Sequence, residues 1–511
     1  MADNSKNSRQ LLMGVLFIGV ALRLWQYAEN RSLWLDEAYL ALNLDFDWLF
    51  VLSQPLAHNQ AAPVGFLLIT KILADVFGHY DWVIRLVPLA GSIFTLTFAY
   101  GIARLAFRSH TGAFTFLSLV AISPLLLYYS SEFKQYATDT TVAIAALYIA
   151  LHYKCPQTTK YYVGLAFAGA LMVWSAFLAP FFLLATGITM MALSISKGHW
   201  RDLRFLGLTV GFWLTNFAFY YGLILHRISE NTNLTSYWQS AYAPGIPTSS
   251  SDVDWIVKTL GSLTYSGFRH MGISSPFEVP QWTDLTNLLL MSTILVGFAV
   301  ALTISKRVIG YLLIAFGALY IASSLSLFPL RSRPVIGVLP YFFLLSGFLV
   351  EWIARQRIAY SGFVACALAL SLLLPPSLIS SRSIINPQQA FDIKGALNFI
   401  KAEHQASDIL LMSTWTQKAY TFYKEQFELD TLFVTHYIQT QNAQADAEIW
   451  FSGTCGILPM ERVWYVVSHR YDSHKPFIET LKKYGDIEDH WERNGAAAYL
   501  INFSSAKCGQ G

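Results

Sequence analysis

The feature that most constrains this chain is a series of apolar stretches, each about as long as a bilayer is thick. A helix of roughly 20 mostly apolar residues spans the hydrocarbon core. The sequence holds about eleven such stretches, near 11–27, 86–106, 112–128, 139–153, 161–177, 178–195, 206–225, 285–304, 308–328, 336–352 and 358–378. In lipid every backbone N–H and C=O needs an internal partner, so stretches of this length are read as helices. Composition agrees: 54% of residues are hydrophobic and 13% charged, against about 25% charged in a soluble chain. Mean hydropathy is +0.41. No soluble domain has enough interior for so much apolar surface, and a disordered or fibrous chain is excluded. A net charge of +3, with no basic tract, gives nucleic acid no footprint.

Lys and Arg in the short connections set an expected orientation. Lys6 and Arg9 precede the first stretch, and Arg104 and Arg108 follow the second. Further clusters are Lys154 and Lys160, then Lys197, Arg201 and Arg204, then Lys306 and Arg307, then Arg355 and Arg357. With an odd number of spans all of them share the side of the N-terminus, which the positive-inside rule makes cytoplasmic. The first apolar run lacks a small-residue cleavage site and is expected to be retained. The expected organisation is a transmembrane domain over 1–379 with external loops at 28–85 and 226–284, followed by a soluble external domain over 380–511.

The stretch Pro63–Phe77 is short and carries Lys71 and Asp75, and counting it as a span would reverse the loop charges. It reads as an amphipathic helix on the outer membrane surface. In the tail, helices are expected at Phe391–Lys401 and Pro476–Tyr484. Strands are expected at Asp408–Met412, Thr431–Thr435, Val463–Ser468 and Ala497–Phe503, an α/β alternation. Of four cysteines, Cys155 and Cys366 fall at the cytoplasmic edge and inside a span, whereas Cys455 and Cys508 lie in the tail and are candidates for a disulfide. No CxxC or His-rich spacing signals structural zinc.

Ionisable residues gather at one side. Asp36 and Glu37 lie about nine residues beyond the first span, flanked by the interfacial rings Trp34 and Tyr39. Adjacent helical residues point about 100° apart, so at most one of the two acids faces a given substrate. A carboxylate at the water–lipid boundary is a candidate general base, and the bland alternative is a solvated acidic pair. Glu132, Lys134 and Asp139 crowd the head of two spans, where ionisable groups tend to be functional. Lys134 is a candidate ligand for an anionic head group, and Glu132 and the neighbouring Tyr136 are candidates for substrate contact; the alternative is an interfacial Glu132–Lys134 pair worth little. Arg331 and Arg333 run against the positive-inside bias and call for an anion, for which guanidinium forks suit phosphate oxygens. Snorkelling to lipid phosphates is their alternative. His58 is a candidate proton carrier, although a lone loop histidine usually is not, and Gln60 is a candidate sugar or phosphate contact. Sequons at Asn30, Asn233 and Asn502 arise readily by chance.

Taken in order, these segments resemble the bacterial GT-C glycosyltransferases of the dolichyl-phosphate-mannose protein mannosyltransferase type (glycosyltransferase family 39), related to the lipid A aminoarabinose transferases. Leu35-Asp36-Glu37-Ala38 resembles the family's first-loop acidic motif, and Gln60-Ala61-Ala62-Pro63-Val64-Gly65-Phe66-Leu67-Leu68 its "QxAPPxxxLL" surface helix. Phe77-Gly78 with Arg85-Leu86-Val87-Pro88 resembles its approach to the second span. Ser123-Pro124, with Tyr128 to Tyr136, resembles "SPxxxYYSSExKxY". Phe328-Pro329-Leu330-Arg331-Ser332-Arg333 resembles the "YPFGGR" turn, departing from it at the Gly-Gly, which leaves the choice between Arg331 and Arg333 open. The WWDYG signature of oligosaccharyltransferases is absent.

The resemblance implies a polytopic α-helical, GT-C-like membrane protein of about eleven transmembrane helices with a C-terminal soluble α/β domain, set in the bacterial cytoplasmic membrane. It implies inverting transfer of one sugar from a polyprenyl-phosphate (undecaprenyl-phosphate) donor to an extracytoplasmic glycan, lipid or protein. Asp36 would be the base, with Glu37 beside it, and Lys134, Arg331 and Arg333 would hold the donor phosphate. His58, Gln60, Glu132 and Tyr136 would line the substrate site. No cofactor is demanded; a divalent metal is compatible with the family. Competing readings are an oligosaccharide ligase, a lipid-linked sugar transporter or flippase, and a non-catalytic binding protein. The one-sided charges and the lack of an internal repeat speak against transport.

Overall fold

The computed structural model describes residues 2–266, 282–331, 333–385, 391–437, 442–455, 457, 461–468 and 471–503. The chain divides into two compact units: Met1–Glu29 with Asp47–Pro387, and Asn30–Phe46 with Gln388–Gly511.

The larger unit is helical. Helices Ala2–Ala28, Leu86–Ala106, His110–Ile122, Tyr136–His152, Thr159–Ser175, Ala179–Ser196, Trp200–Tyr220, Trp282–Ile304, Lys306–Ser324, Leu339–Ala354 and Ser361–Ile385 coincide with the expected apolar stretches. Among the described residues seven helices are long and apolar enough to cross a membrane, or eight when a bent pair counts as one span. The chain is therefore a multi-pass membrane protein with the expected fold class. Tyr136–His152 and Thr159–Ser175 stop at 17 residues each. The third expected span is the bent pair: His110–Ile122 ends, and the chain turns by 46° into Pro124–Ser131.

Burial orders the bundle. Arg333–Ala354 is buried along most of its length, whereas Ser361–Ile385 is mostly exposed and leaves its apolar side chains to lipid. Small residues set the close crossings, as in membrane bundles generally. A Cβ on Gly297 would lie 2.1 Å from the Leu345 carbonyl, and one on Gly112 2.9 Å from the Gly347 carbonyl.

The surface helix forms as Val64–Phe77. It buries Val64, Phe66, Leu67, Thr70 and Ala74 and exposes Ile69, Ile72, Val76 and Phe77, an apolar strip of the kind an interfacial helix shows to lipid. Lys71 pairs with Asp75 at 3.3 Å.

In the smaller unit, β1 (Ile409–Ser413), β2 (Phe433–Tyr437), β3 (Arg462–Ser468), β4 (Asp486–Arg493) and β5 (Ala496–Asn502) form one sheet in the order β2-β1-β3-β5-β4. β1 is parallel to β2 and β3, and β5 is antiparallel to β3 and β4. β1 is buried throughout, as a covered parallel strand requires. The expected strand at 431–435 sits two residues later, and the helix expected at Pro476–Tyr484 is Tyr471–Leu481, with Pro476 inside it. Strand β4 and helices Thr416–Tyr423 and Ala443–Thr454 were not expected. Cys455 is disulfide-bonded, while Cys155 and Cys366 are free. Its expected partner Cys508 lies outside the described residues.

Candidate functional site

The candidate residues fall into two groups, one in each unit. In the smaller unit Asp36 and Glu37 occupy the first turn of the helix Leu35–Ala41. The two acids have different surroundings, as their 100° separation requires. Glu37 is 1% exposed and accepts a hydrogen bond from the Trp34 amide at 3.3 Å, so it caps its own helix. Asp36 is half-buried and acts electrostatically on Tyr39. Burial first, and then the Asp36 charge, push the Tyr39 phenol above its ordinary value.

The tail holds this helix in place. The Leu33 amide donates to the Tyr423 hydroxyl at 2.9 Å, and the Lys394 amide donates to Ser32 Oγ at 3.1 Å. Lys394 Nζ donates to the Asn30 carbonyl and lies 6.0 Å from the Tyr423 ring centroid. Tyr423 and Lys394, on helices Thr416–Tyr423 and Ile393–Glu403, are thus residues that sequence reasoning missed. No local pattern could mark a contact spanning some 390 positions.

In the larger unit, the turn before Val64–Phe77 docks on the segment that follows the bent helix. Lys134 Nζ donates to Gln60 Oε1 at 2.6 Å. Gln60 Nε2 in turn donates to the His58 carbonyl at 3.3 Å. His58 is exposed, has a left-handed backbone (φ 61°), and serves this turn through its carbonyl. Phe66 stacks on Phe133 with ring centroids 5.5 Å apart. Lys134 is 5% exposed, Glu132 0% and Tyr136 6%. Tyr129 lies in the electrostatic field of both Glu132 and Arg333, and its ring meets Tyr136 edge-on at 5.0 Å. Arg331 is half-buried in the next turn, and the neighbouring Leu330 amide donates to the Ala241 carbonyl at 2.9 Å. The structure brings together Gln60 with Lys134, and Tyr136 with Tyr129, the phenol on which both Glu132 and Arg333 act electrostatically.

An open cavity with about 440 Å³ of empty space adjoins Gln60. Val51, Leu56, Leu67, Ile224 and Ile228 give it apolar walls, and Gln60, Arg227 and Asn231 are its polar rim. Arg227 donates to the Ser53 carbonyl. Sequence reasoning passed over Arg227 because it follows a long apolar helix and reads as an ordinary flanking cation. Its signal was the one applied to Arg331 and Arg333: in the topology expected from the loop charges, it falls on the side away from the basic loops. Among the described residues no three His, Cys, Asp or Glu side chains converge to hold a metal ion.

Residues 60–221 match the family model of dolichyl-phosphate-mannose-protein mannosyltransferases. No curated protein matches the chain. Among solved structures, apo ArnT from Cupriavidus metallidurans is similar with TM-score 0.50 at 14% identity, covering 97% of this chain and 99% of that one. The same protein bound to undecaprenyl phosphate is similar with TM-score 0.53 at 15% identity, over the same shares. The chain thus has the GT-C-like fold of ArnT, and its stretch 60–221, which carries Gln60, Glu132, Lys134 and Tyr136, matches the mannosyltransferase family.

Proposed function

We propose that the chain is a glycosyltransferase of the bacterial cytoplasmic membrane that moves a single sugar from a polyprenyl-phosphate donor to an acceptor on the extracytoplasmic side. The observation that carries this reading is the hydrogen bond from the buried Lys134 to the half-buried Gln60 on the docked turn, with Arg227 on the rim of the adjoining apolar cavity. A cation beside apolar walls suits a ligand that is part phosphate and part hydrocarbon. The similarity to a structure bound to undecaprenyl phosphate supports the same donor class.

In this reading Asp36 takes the proton of the acceptor hydroxyl. The hydroxyl oxygen attacks the anomeric carbon opposite the phosphate, the sugar–phosphate bond breaks, and its electron pair leaves on the phosphate oxygen. The anomeric centre inverts. Lys134, Arg227, Arg331 and Arg333 are the proposed stabilisers of the charge growing on that phosphate. Gln60 accepts from the Lys134 ammonium through its amide oxygen at 2.6 Å and so helps to fix the position of that cation. Glu132 and Tyr136 are the proposed sugar-side contacts. We place the N-terminus in the cytoplasm and the sheet domain outside, on the loop charges.

The test follows sugar release from a panel of radiolabelled undecaprenyl-phosphate monosaccharides in proteoliposomes carrying the full chain and a mixture of envelope acceptors. Consumption of one donor, lost in Lys134→Met, supports the reading. A donor that crosses the bilayer with its sugar intact replaces it with transport.

A further inference from the structure

We infer that Arg23, deep in the first membrane helix, is a positioning residue. It replaces the backbone donors that the break at Pro124 removes, and so holds the segment bearing Tyr129, Glu132 and Lys134. The link to sugar transfer rests on the transferase reading above.

Four carbonyls at the helix break need donors. A helix leaves its last four C=O groups without intrahelical donors, and inside a membrane water cannot serve them. The helix His110–Ile122 ends at Ser123-Pro124. Proline has no N–H, so the carbonyl four residues earlier, that of Val120, loses its donor, and the bend takes its neighbour's donor away as well. The Leu119 carbonyl is met by the Ser123 amide at 3.0 Å. The Val120 carbonyl receives Arg23 Nη2 at 3.1 Å, and the Ala121 carbonyl receives Arg23 Nη1 at 3.0 Å. The Ile122 carbonyl receives Ser380 Oγ at 2.8 Å. All four are satisfied, two of them by one guanidinium.

The fit is specific to arginine. Val120 and Ala121 are fully buried, and Arg23 is 0% exposed. Its Nε donates to Ser92 Oγ at 2.6 Å, which fixes the guanidinium plane, and Nη1 also reaches the Gly19 carbonyl at 3.0 Å. A lysine ammonium is a single point and lacks this planar fork. Its acceptors among the described residues are dipoles, and a helix C-terminus is where a cation is favoured. Close approach at Gly19 makes the reach work: a Cβ there would lie 3.0 Å from the Ala121 Cβ. From this cap the chain turns directly into the candidate segment. Arg23, Ser92, Thr95, Tyr129 and Thr140 line one cavity of about 230 Å³ of empty space, and Tyr129 lies in the field of Glu132 and Arg333.

The experiment uses the full chain in nanodiscs and two readouts, hydrogen exchange over residues 124–136 and sugar transfer. Arg23→Met speeds exchange there on the order of tenfold. It lowers kcat about 100-fold, as misplacement of a site by an ångström does, while KM for the donor moves less. Arg23→Lys falls between. Pro124→Ala restores a donor opposite the Val120 carbonyl, so in the Arg23→Met background it recovers part of both losses. A merely charge-bearing or merely structural arginine gives no such rescue. Should Arg23→Met not fold, Arg23→Lys and Ser380→Ala carry the same comparison, since Ser380 serves the adjacent carbonyl. Unchanged exchange in the variants overturns the inference, as does lost transfer without rescue, or faster exchange with full transfer. If the wild type itself transfers no sugar, the transferase reading fails, and exchange with its Pro124→Ala rescue still decides whether Arg23 holds the segment.

Discussion

Two adjacent acids with different surroundings give a prediction that separates chemistry from scaffold. The perturbations are Asp36→Asn and Glu37→Gln, each removing a charge and almost no volume. Glu37 is 1% exposed and takes the Trp34 amide at 3.3 Å. A hydrogen bond to a charged acceptor is worth about 1.5–3 kcal/mol and a neutral one about 0.5–1.5, so the amide forfeits about 1 kcal/mol. Loss of a negative charge at a helix N-terminus adds about 0.3–1 kcal/mol. The helix Leu35–Ala41 is then destabilised by about 1–2 kcal/mol, which accelerates its amide exchange roughly 5–30-fold. Transfer by Glu37→Gln stays within about tenfold of wild type, because a frayed helix still presents Asp36 part of the time. Asp36→Asn behaves in the opposite way. Its half-buried side chain changes stability by less than about 0.5 kcal/mol, whereas loss of a general base costs about 100- to 10,000-fold in rate. The assay pairs hydrogen exchange with sugar release from whichever undecaprenyl-phosphate donor the wild type consumes. Wild-type transfer by Asp36→Asn, with a hundredfold loss in Glu37→Gln at unchanged exchange, reverses the two assignments.

Three further outcomes are expected. Tyr423→Phe removes the acceptor of the Leu33 amide, which is 1% exposed, and leaves a buried donor at a cost of about 1–3 kcal/mol; exchange at residues 33–41 rises and transfer falls with it, and a variant silent in both contradicts the tie. Gly297→Ala forces a Cβ to 2.1 Å from the Leu345 carbonyl and destabilises the bundle by about 1–3 kcal/mol in detergent melting, whereas Gly317→Ala, with nothing within 4 Å, raises stability by up to about 1 kcal/mol. The Asp252 carboxyl is held below its ordinary value by the Ser249 hydroxyl first, then by the Ser249 and Thr248 amides. Its cap on the helix Ser250–Ser266 is complete above the ordinary value of about 3.9 and is lost as pH falls through the lower folded one. Protection of that helix, measured relative to the intrinsic exchange rate at each pH, therefore falls in acid, and Asp252→Asn abolishes the dependence.

Several elements were legible and others were missed for traceable reasons. β1 and β3 were readable as short β-rich runs. β4 was not: Asp486-Ile487-Glu488-Asp489-His490-Trp491-Glu492-Arg493 alternates charge with few β-branched residues, as a protected edge strand does. Its hairpin signal stood in the open at Asn494-Gly495, both with positive φ. The break in the third span was signalled by Ser123-Pro124, but an apolar run on both sides hid it.

The sequence by itself determined what depends on neighbours along the chain. Bilayer-length apolar runs, the proline break, the loop charges and the short acidic and aromatic motifs are local properties, and burial in lipid or water follows from them directly. Tertiary structure alone decided which acid caps and which stays half-buried, that Gln60 meets Lys134 across 74 positions, and that residues 30–46 cluster with the tail. It alone decided that Arg23 caps a helix 97 positions away. Hydrogen bonds of this kind depend on where distant backbones cross, which is set by the packing of small residues such as Gly19 and Gly297. No window of sequence contains that information, because the partners meet only once the helices have packed.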